Sequence, residues 1–288
     1  MLELESPCKV NWLLNILGKR PDGFHELETL MLPVPLCDTL RIERTQAPLE
    51  LSCSDPRLPV DSRNLVWKAA SAFFKASGLD GGARVHLEKR IPMEAGLGGG
   101  SGNAATTLVG LNRLCGEPIS GSQLQELAAS LGSDVPFFLD PKPAVAFGRG
   151  ENVRALAPSS ALAGCSMLLI HPGFGISTPW AYQRLAQFPG SAQGLTGRAE
   201  AAALAFADGG VAGVVSHLFN TLEIPALHTY PILKVYQDFL REKGALGALM
   251  SGSGSTTFAV FESVADGEAA ETAFNLRFTR CWTRVVAF

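Results

Sequence analysis

Pro92-Met-Glu-Ala-Gly96-Leu-Gly98-Gly99-Gly100-Ser101-Gly102-Asn103-Ala-Ala-Thr106-Thr107 places five glycines within seven residues and runs straight into an Ala/Thr/Leu helical pattern. Glycine reaches φ > 0 and lets another group come close to the backbone. The pattern predicts a helix over Asn103–Cys115, closed by Gly116. Its first turn would carry unpaired N–H groups and a partial positive charge. Together these predict an anion cradle, and phosphate is the commonest occupant of such a cradle. A flexible linker is the competing reading. A strand pattern at Val85-His-Leu87 before the glycines and an amphipathic helix after them argue against it.

Two other phosphate loops do not fit. A P-loop needs Gly-Lys-Ser/Thr, and no lysine lies between Lys89 and Lys142. A dinucleotide fingerprint begins at Gly96 and Gly98, but Ser101 stands where its third glycine belongs.

The chain has 288 residues, 47% of them hydrophobic, enough for one large domain or two ordinary ones with a sizeable core. A net charge of -3 without a long Lys/Arg run lacks the footprint of a nucleic-acid binder. The six cysteines are scattered without a Cys-x-x-Cys pair, which argues against zinc and for reduced thiols in a cytoplasmic protein. Glu3 and Glu5 occupy the start, where a signal peptide would be basic, and no apolar run approaches the ~18 residues of a membrane span.

Pro7 to Gly18 alternates as a strand, with Lys9 and Asn11 on one face of an otherwise apolar segment. Unpaired burial of either is costly, so the face is either the wall of a site or the wet side of an edge strand. Pro21-Asp22-Gly23 is a turn, with Phe24 and His25 just beyond it and a second strand over Glu28–Leu32. Further strands are expected at Thr39–Glu43, Leu49–Ser52 and Arg84–Arg90. A helix capped within Asp61–Asn64 should run to Gly78. Ser120 and Gln123 form a capping box for a helix to Leu131, after which Asp134 sits at the helix exit beside apolar Val135, Phe137 and Phe138. A surface carboxylate in a turn is the bland reading of Asp134. A hairpin around Gly148-Arg-Gly150 closes this half.

Ala157–Gly164 reads as a connection, so the expected domains are 1–157 and 158–288. The second half should hold a strand at Met167–His171 and a helix with Thr178 as N-cap and Pro179 at N1, carrying Trp180 and Tyr182. A helix from Pro225 to Lys243 comes next, then a Ser251–Ser255 turn between two strand-like runs. A helix near Glu268–Phe278 and a strand over Thr283–Phe288 complete it.

Pro7–Asn11, the Gly96–Ala105 loop and the Ser251–Ser255 turn together resemble, in order, the three motifs of the GHMP family of small-molecule kinases. The resemblance spans nearly the whole chain. Asn15–Leu27, Leu131–Pro136 and His171–Pro179 are similar to the branch that acts on a CDP-linked methylerythritol in the non-mevalonate isoprenoid route.

The resemblance implies an α+β fold of two halves, the first like ribosomal protein S5 domain 2 and the second ferredoxin-like. It implies ATP as phosphoryl donor, with Mg²⁺ accompanying it, and small-molecule partners, with no nucleic acid or membrane. Asp134 would accept the proton of the attacking hydroxyl, Lys9 would keep that carboxylate ionised and face the transferring phosphoryl, and Asn11 would position the hydroxyl. Pro92, Gly96, Leu97, Gly98, Gly99, Gly100, Ser101, Gly102 and Asn103 would hold the ATP phosphates. His25 would read the cytosine edge between the rings of Phe24 and Tyr182, with Thr178 also on the acceptor side.

Three departures stand out. Phe24 and Tyr182 exchange the family's usual aromatics, Gly102 replaces a loop serine, and Cys8 replaces the alanine before Lys9. No metal ligand follows from spacing. A homoserine- or mevalonate-type acceptor, a silent nucleotide-binding regulator, and a monomeric or homodimeric state remain open at this point.

Overall fold

The computed structural model of the chain describes residues 1–188, 190–191 and 193–288. In chain order its elements are β1 (Leu2–Lys19), β2 (His25–Thr45), β3 (Glu50–Cys53), α1 (Leu65–Ser77), β4 (Gly82–Glu88), α2 (Gly99–Leu114) and α3 (Gly121–Leu131). A short 3-10 turn, Pro136–Leu139, leads to β5 (Ala144–Gly148), β6 (Asn152–Ala155), β7 (Ser166–His171), α4 (Thr178–Leu185), α5 (Arg198–Asp208) and α6 (Val211–Val215). The chain ends with β8 (Phe219–Asn220), α7 (Glu223–Thr229), α8 (Ile232–Glu242), β9 (Gly247–Met250), β10 (Thr257–Phe261), α9 (Val264–Arg277) and β11 (Trp282–Ala287).

Two compact units emerge, one of Met1–Cys8, Leu36–Pro92 and Gly98–Pro141, the other of Lys9–Pro35, Met93–Leu97 and Lys142–Phe288. β1 and β2 are long and each contributes residues to both.

In the first unit β3 runs parallel to β4, and β4 pairs antiparallel with the later part of β2, Ile42 opposite Val85. α1 starts where the Asn64 side chain accepts from the Val66 amide and stops at left-handed Gly78. Its buried stripe of Val66, Ala69, Ala70 and Phe73 packs against α2. Gly110 lets α2 sit close to the sheet, since a Cβ there would fall 2.6 Å from Ile42 Cδ1.

In the second unit the earlier part of β2 pairs with β5, Leu30 opposite Val145, and β5 turns back into β6 through the expected hairpin. β8 runs parallel to β1, Leu13 opposite Phe219. A separate antiparallel sheet has the order β11-β7-β10-β9. α8 and α9 pack against it, and Leu168, Ile170, Ala259, Phe261, Leu233, Leu240 and Phe274 fill the space between.

Most elements match the sequence pattern, though β1 begins at Leu2 instead of Pro7 and β8 was not expected; there are four further differences. Strands expected over Glu28–Leu32 and Thr39–Glu43 are one continuous strand, β2, because Pro33 and Pro35 are tolerated in extended backbone. α2 starts at Gly99 instead of Asn103, so the glycines after Gly98 are its first turns. Ser177 is the N-cap of α4, putting Thr178 and not Pro179 at the first helical position. The helix expected over Pro225–Lys243 is two, α7 and α8, broken at Tyr230, whose helical conformation is disfavoured by the following Pro231.

Candidate active site

Lys9 and Asn11 are 3% and 4% exposed, which rules out the wet edge-strand alternative. β1 has β2 on one side and β8 on the other. Both side chains lie on one face, and the Lys9 ammonium donates to Asn11 Oδ1. Asn11 Nδ2 in turn donates to Thr29 Oγ1 at 2.9 Å, and Thr29 Oγ1 donates to the Leu13 carbonyl at 2.5 Å. The amide of Asn11 is thereby fixed with its oxygen toward the lysine. A buried cation on this face is held by hydrogen bonds, as burial of charge requires.

The same strand is tied to the glycine stretch. The Lys9 backbone amide donates to the Leu97 carbonyl at 2.9 Å. Ser251 Oγ accepts from the Asn11 amide at 3.1 Å and donates to the Gly96 carbonyl at 2.9 Å. Gly96 has φ 73, and a Cβ there would fall 2.1 Å from the Ser251 carbonyl oxygen. No other residue fits at 96. The turn that carries Ser251 is itself held by Asn220, whose Nδ2 donates to the carbonyls of Met250 and Gly252, both at 2.8 Å. Glu223 accepts from the Met250 amide at 2.8 Å, and burial pushes its carboxyl above the usual range.

Gly98, φ 67, is the N-cap of α2 and supplies no side-chain acceptor. The first helical hydrogen bond runs from the Gly102 amide to the Gly98 carbonyl, so the amides of Gly99, Gly100 and Ser101 have no partner within the helix. They face the N-terminal end of a 16-residue helix, which carries partial positive charge. Such an arrangement suits an anion. Gly102 is also a steric requirement, since a Cβ there would sit 2.6 Å from the Pro7 carbonyl. A serine at this position would need β1 to move. Asn103 is 2% exposed and its side chain turns inward, to Ser6 Oγ and Asp38 Oδ2, both at 3.0 Å. Cys8 is a fully buried free thiol pushed up by burial, an inert core residue.

Asp134 lies in the turn between α3 and the Pro136–Leu139 segment, where the Val135 amide donates to the Gly132 carbonyl at 3.1 Å. Val135, Phe137 and Phe138 are buried and anchor that turn. Asp134 itself is half-buried.

The aromatic residues form a second cluster. His25 stacks on Tyr182 with ring centroids 4.8 Å apart and planes tilted by 31°. Phe24 is 53% exposed, and the Arg149 guanidinium carbon lies 4.7 Å from its ring centroid. Tyr182 therefore stacks on His25, and one face of Phe24 is already covered. Burial and the nearby Lys19 charge lower the His25 pKa, which favours the neutral ring. Thr178 Oγ1 lies 3.1 Å from Ser253 Oγ, which links α4 to the glycine-serine turn. Sequence reasoning missed Thr29, Arg149, and the bridging role of Ser251. Ser251 stood in a segment singled out as a family motif, whereas Thr29 and Arg149 lay in segments read only as a strand and a hairpin.

Among the described residues no group of three or more His, Cys, Asp or Glu side chains is placed to hold a metal ion, and no helix is long and apolar enough to cross a membrane.

Comparison with known proteins gives these features a family. Residues 64–140 match the GHMP kinases N terminal domain, and residues 210–279 match the GHMP kinases C terminal domain. A 4-diphosphocytidyl-2-C-methyl-D-erythritol kinase from Pelobacter propionicus is 41% identical over 94% of this chain and 92% of its own length. One from a Geobacter species is 39% identical over 98% and 96%. A crystal structure of 4-(cytidine 5'-diphospho)-2C-methyl-D-erythritol kinase superposes with a TM-score of 0.81 at 36% identity, covering all of both chains. The chain belongs to the GHMP kinase family, among its 4-diphosphocytidyl-2-C-methyl-D-erythritol kinases.

Proposed function

We propose that the chain transfers the γ-phosphoryl group of ATP to the 2-hydroxyl of 4-diphosphocytidyl-2-C-methyl-D-erythritol, in the cytoplasm, as a step of non-mevalonate isoprenoid precursor synthesis. Phosphoryl transfer passes through a loose transition state, so catalysis is mostly alignment and charge stabilisation. In this reading the amides at the start of α2 hold the ATP phosphates, with the Ser101 hydroxyl adding a contact. Asp134 takes the proton of the attacking hydroxyl. Lys9 presents positive charge to the transferring group, and Asn11 orients the hydroxyl. Mg²⁺ accompanies ATP and supplies charge neutralisation on the phosphate oxygens; no residue of this chain is assigned to it.

The substrate assignment rests on one observation, His25 stacked on Tyr182 and following Phe24 in the chain, with burial and Lys19 favouring its neutral form. A neutral imidazole offers one donor and one acceptor, the complement of cytosine's amino group and ring nitrogen. CMP or CDP should therefore compete with the phosphoryl acceptor in steady-state kinetics. Failure of both to compete would remove the cytidine reading and return a homoserine- or mevalonate-type acceptor to first place.

A further inference from the structure

Asp38, on β2, is a carboxylate with no exposed surface, and each of its oxygens takes two hydrogen bonds. Oδ1 accepts from the backbone amides of Arg90 at 2.7 Å and Ile91 at 2.9 Å. Oδ2 accepts from Lys89 Nζ at 2.6 Å and Asn103 Nδ2 at 3.0 Å. Arg90 and Ile91 lead into the glycine stretch, and Asn103 lies on the helix that leaves it. One carboxylate thus grips both limbs of the loop.

The Lys89 side chain is only 6% exposed. Its ammonium also donates to the Ile91 carbonyl at 2.6 Å, and it lies 3.3 Å from where a Cβ on Gly99 would stand. Gly99 is the first residue of α2, whose free amides carry the anion-binding potential. An uncompensated carboxylate buried behind that helix start would oppose the potential, because charges interact strongly where water is excluded. Lys89 cancels it.

On the reading that the start of α2 holds nucleotide phosphates, we infer that Asp38 and Lys89 are positioning residues for nucleotide binding: Asp38 clamps the two limbs of the loop, and Lys89 neutralises the clamp. Neither residue touches the phosphates in this account. Lys89→Met should damage nucleotide binding by leaving a bare buried carboxylate. Asp38→Asn should damage it by turning a donor toward Lys89 and Asn103, loosening one limb.

The test is calorimetric binding of ADP and, separately, of CMP to the full chain and to Lys89→Met, Lys89→Arg, Asp38→Asn and the double substitution Asp38→Asn/Lys89→Met. Lys89→Met and Asp38→Asn should each weaken ADP by about tenfold or more, and Lys89→Arg, which keeps the charge, by about threefold or less. The double substitution has no buried charge and should bind ADP more tightly than Lys89→Met alone. CMP affinity should move by less than about twofold throughout. Equal losses of ADP and CMP affinity, or a double substitution no better than Lys89→Met, would mean general structural damage and overturn the inference. Should Lys89→Met fail to fold, Asp38→Asn decides by the same ADP-against-CMP comparison. A wild-type chain that binds CMP and no ADP would instead sink the phosphate-loop reading.

Discussion

The Lys9 ammonium donates to Oδ1 of Asn11, two residues along the same strand face, and both side chains are almost completely buried. The asparagine oxygen holds the ammonium in one direction.

Removal of that charge should act on the chemical step. Lys9→Ala is expected to raise the barrier by about 3–4 kcal/mol, seen as a fall in kcat, with the acceptor KM little changed. Asp134→Asn is expected to keep nucleotide binding and cut turnover a hundredfold or more, on the order of 3 kcal/mol. Steady-state kinetics on each variant separate the cases. A Lys9 variant changed only in acceptor KM would make Lys9 a binding group.

Ser251 joins Asn11 to Gly96, and its loss leaves the Asn11 amide and the Gly96 carbonyl without that partner. Ser251→Ala should cost about 1–3 kcal/mol of folding stability, measured by urea denaturation. The KM for ATP should rise with it, since the loop is anchored at Gly96. A stability change below about 0.5 kcal/mol would show that the bridge is dispensable.

Phe24 is more than half exposed, so its truncation should barely affect folding. Phe24→Ala is expected to leave the thermal midpoint nearly unchanged while weakening CMP by about 1–3 kcal/mol, the usual range for loss of a base-stacking ring. Unchanged CMP affinity would take Phe24 out of the acceptor site and leave it as a seat for Arg149.

His25 has a pKa lowered by burial and by Lys19. The neutral ring is the form that both donates and accepts, so the acid limb of acceptor binding should lie on the low side of the ordinary imidazole value of about 6.5. Along that limb binding weakens as protonation removes the acceptor nitrogen. A pH profile of kcat/KM for the acceptor checks this. Weakening that begins above neutral pH would contradict it. His25→Gln, which keeps a donor and an acceptor but does not titrate, should abolish the acid limb and retain part of the affinity.

Much of this was legible in residue types. The alternation of Pro7–Gly18, the caps at Asn64, Gly78 and Ser120, and the hairpin at Gly148–Gly150 are local rules acting locally. The start of α2 was misplaced because glycine has a poor helix propensity, and packing of Gly99 against Ile91 and of Gly102 under Pro7 overrides it. The contacts that build the site were not legible, because they join residues far apart in sequence. Nothing near Ser251 announces Asn11, which lies 240 positions away, and nothing near Asp38 announces Asn103.

The activity itself is tested most directly by ADP release from ATP-Mg²⁺ on addition of 4-diphosphocytidyl-2-C-methyl-D-erythritol to the purified chain, with homoserine and mevalonate as parallel acceptors. Stoichiometric ADP with the cytidine-linked acceptor and none above background with the other two is the expected result. ADP release with homoserine or mevalonate alone, or no acceptor-dependent release from a chain that binds ATP, would contradict it.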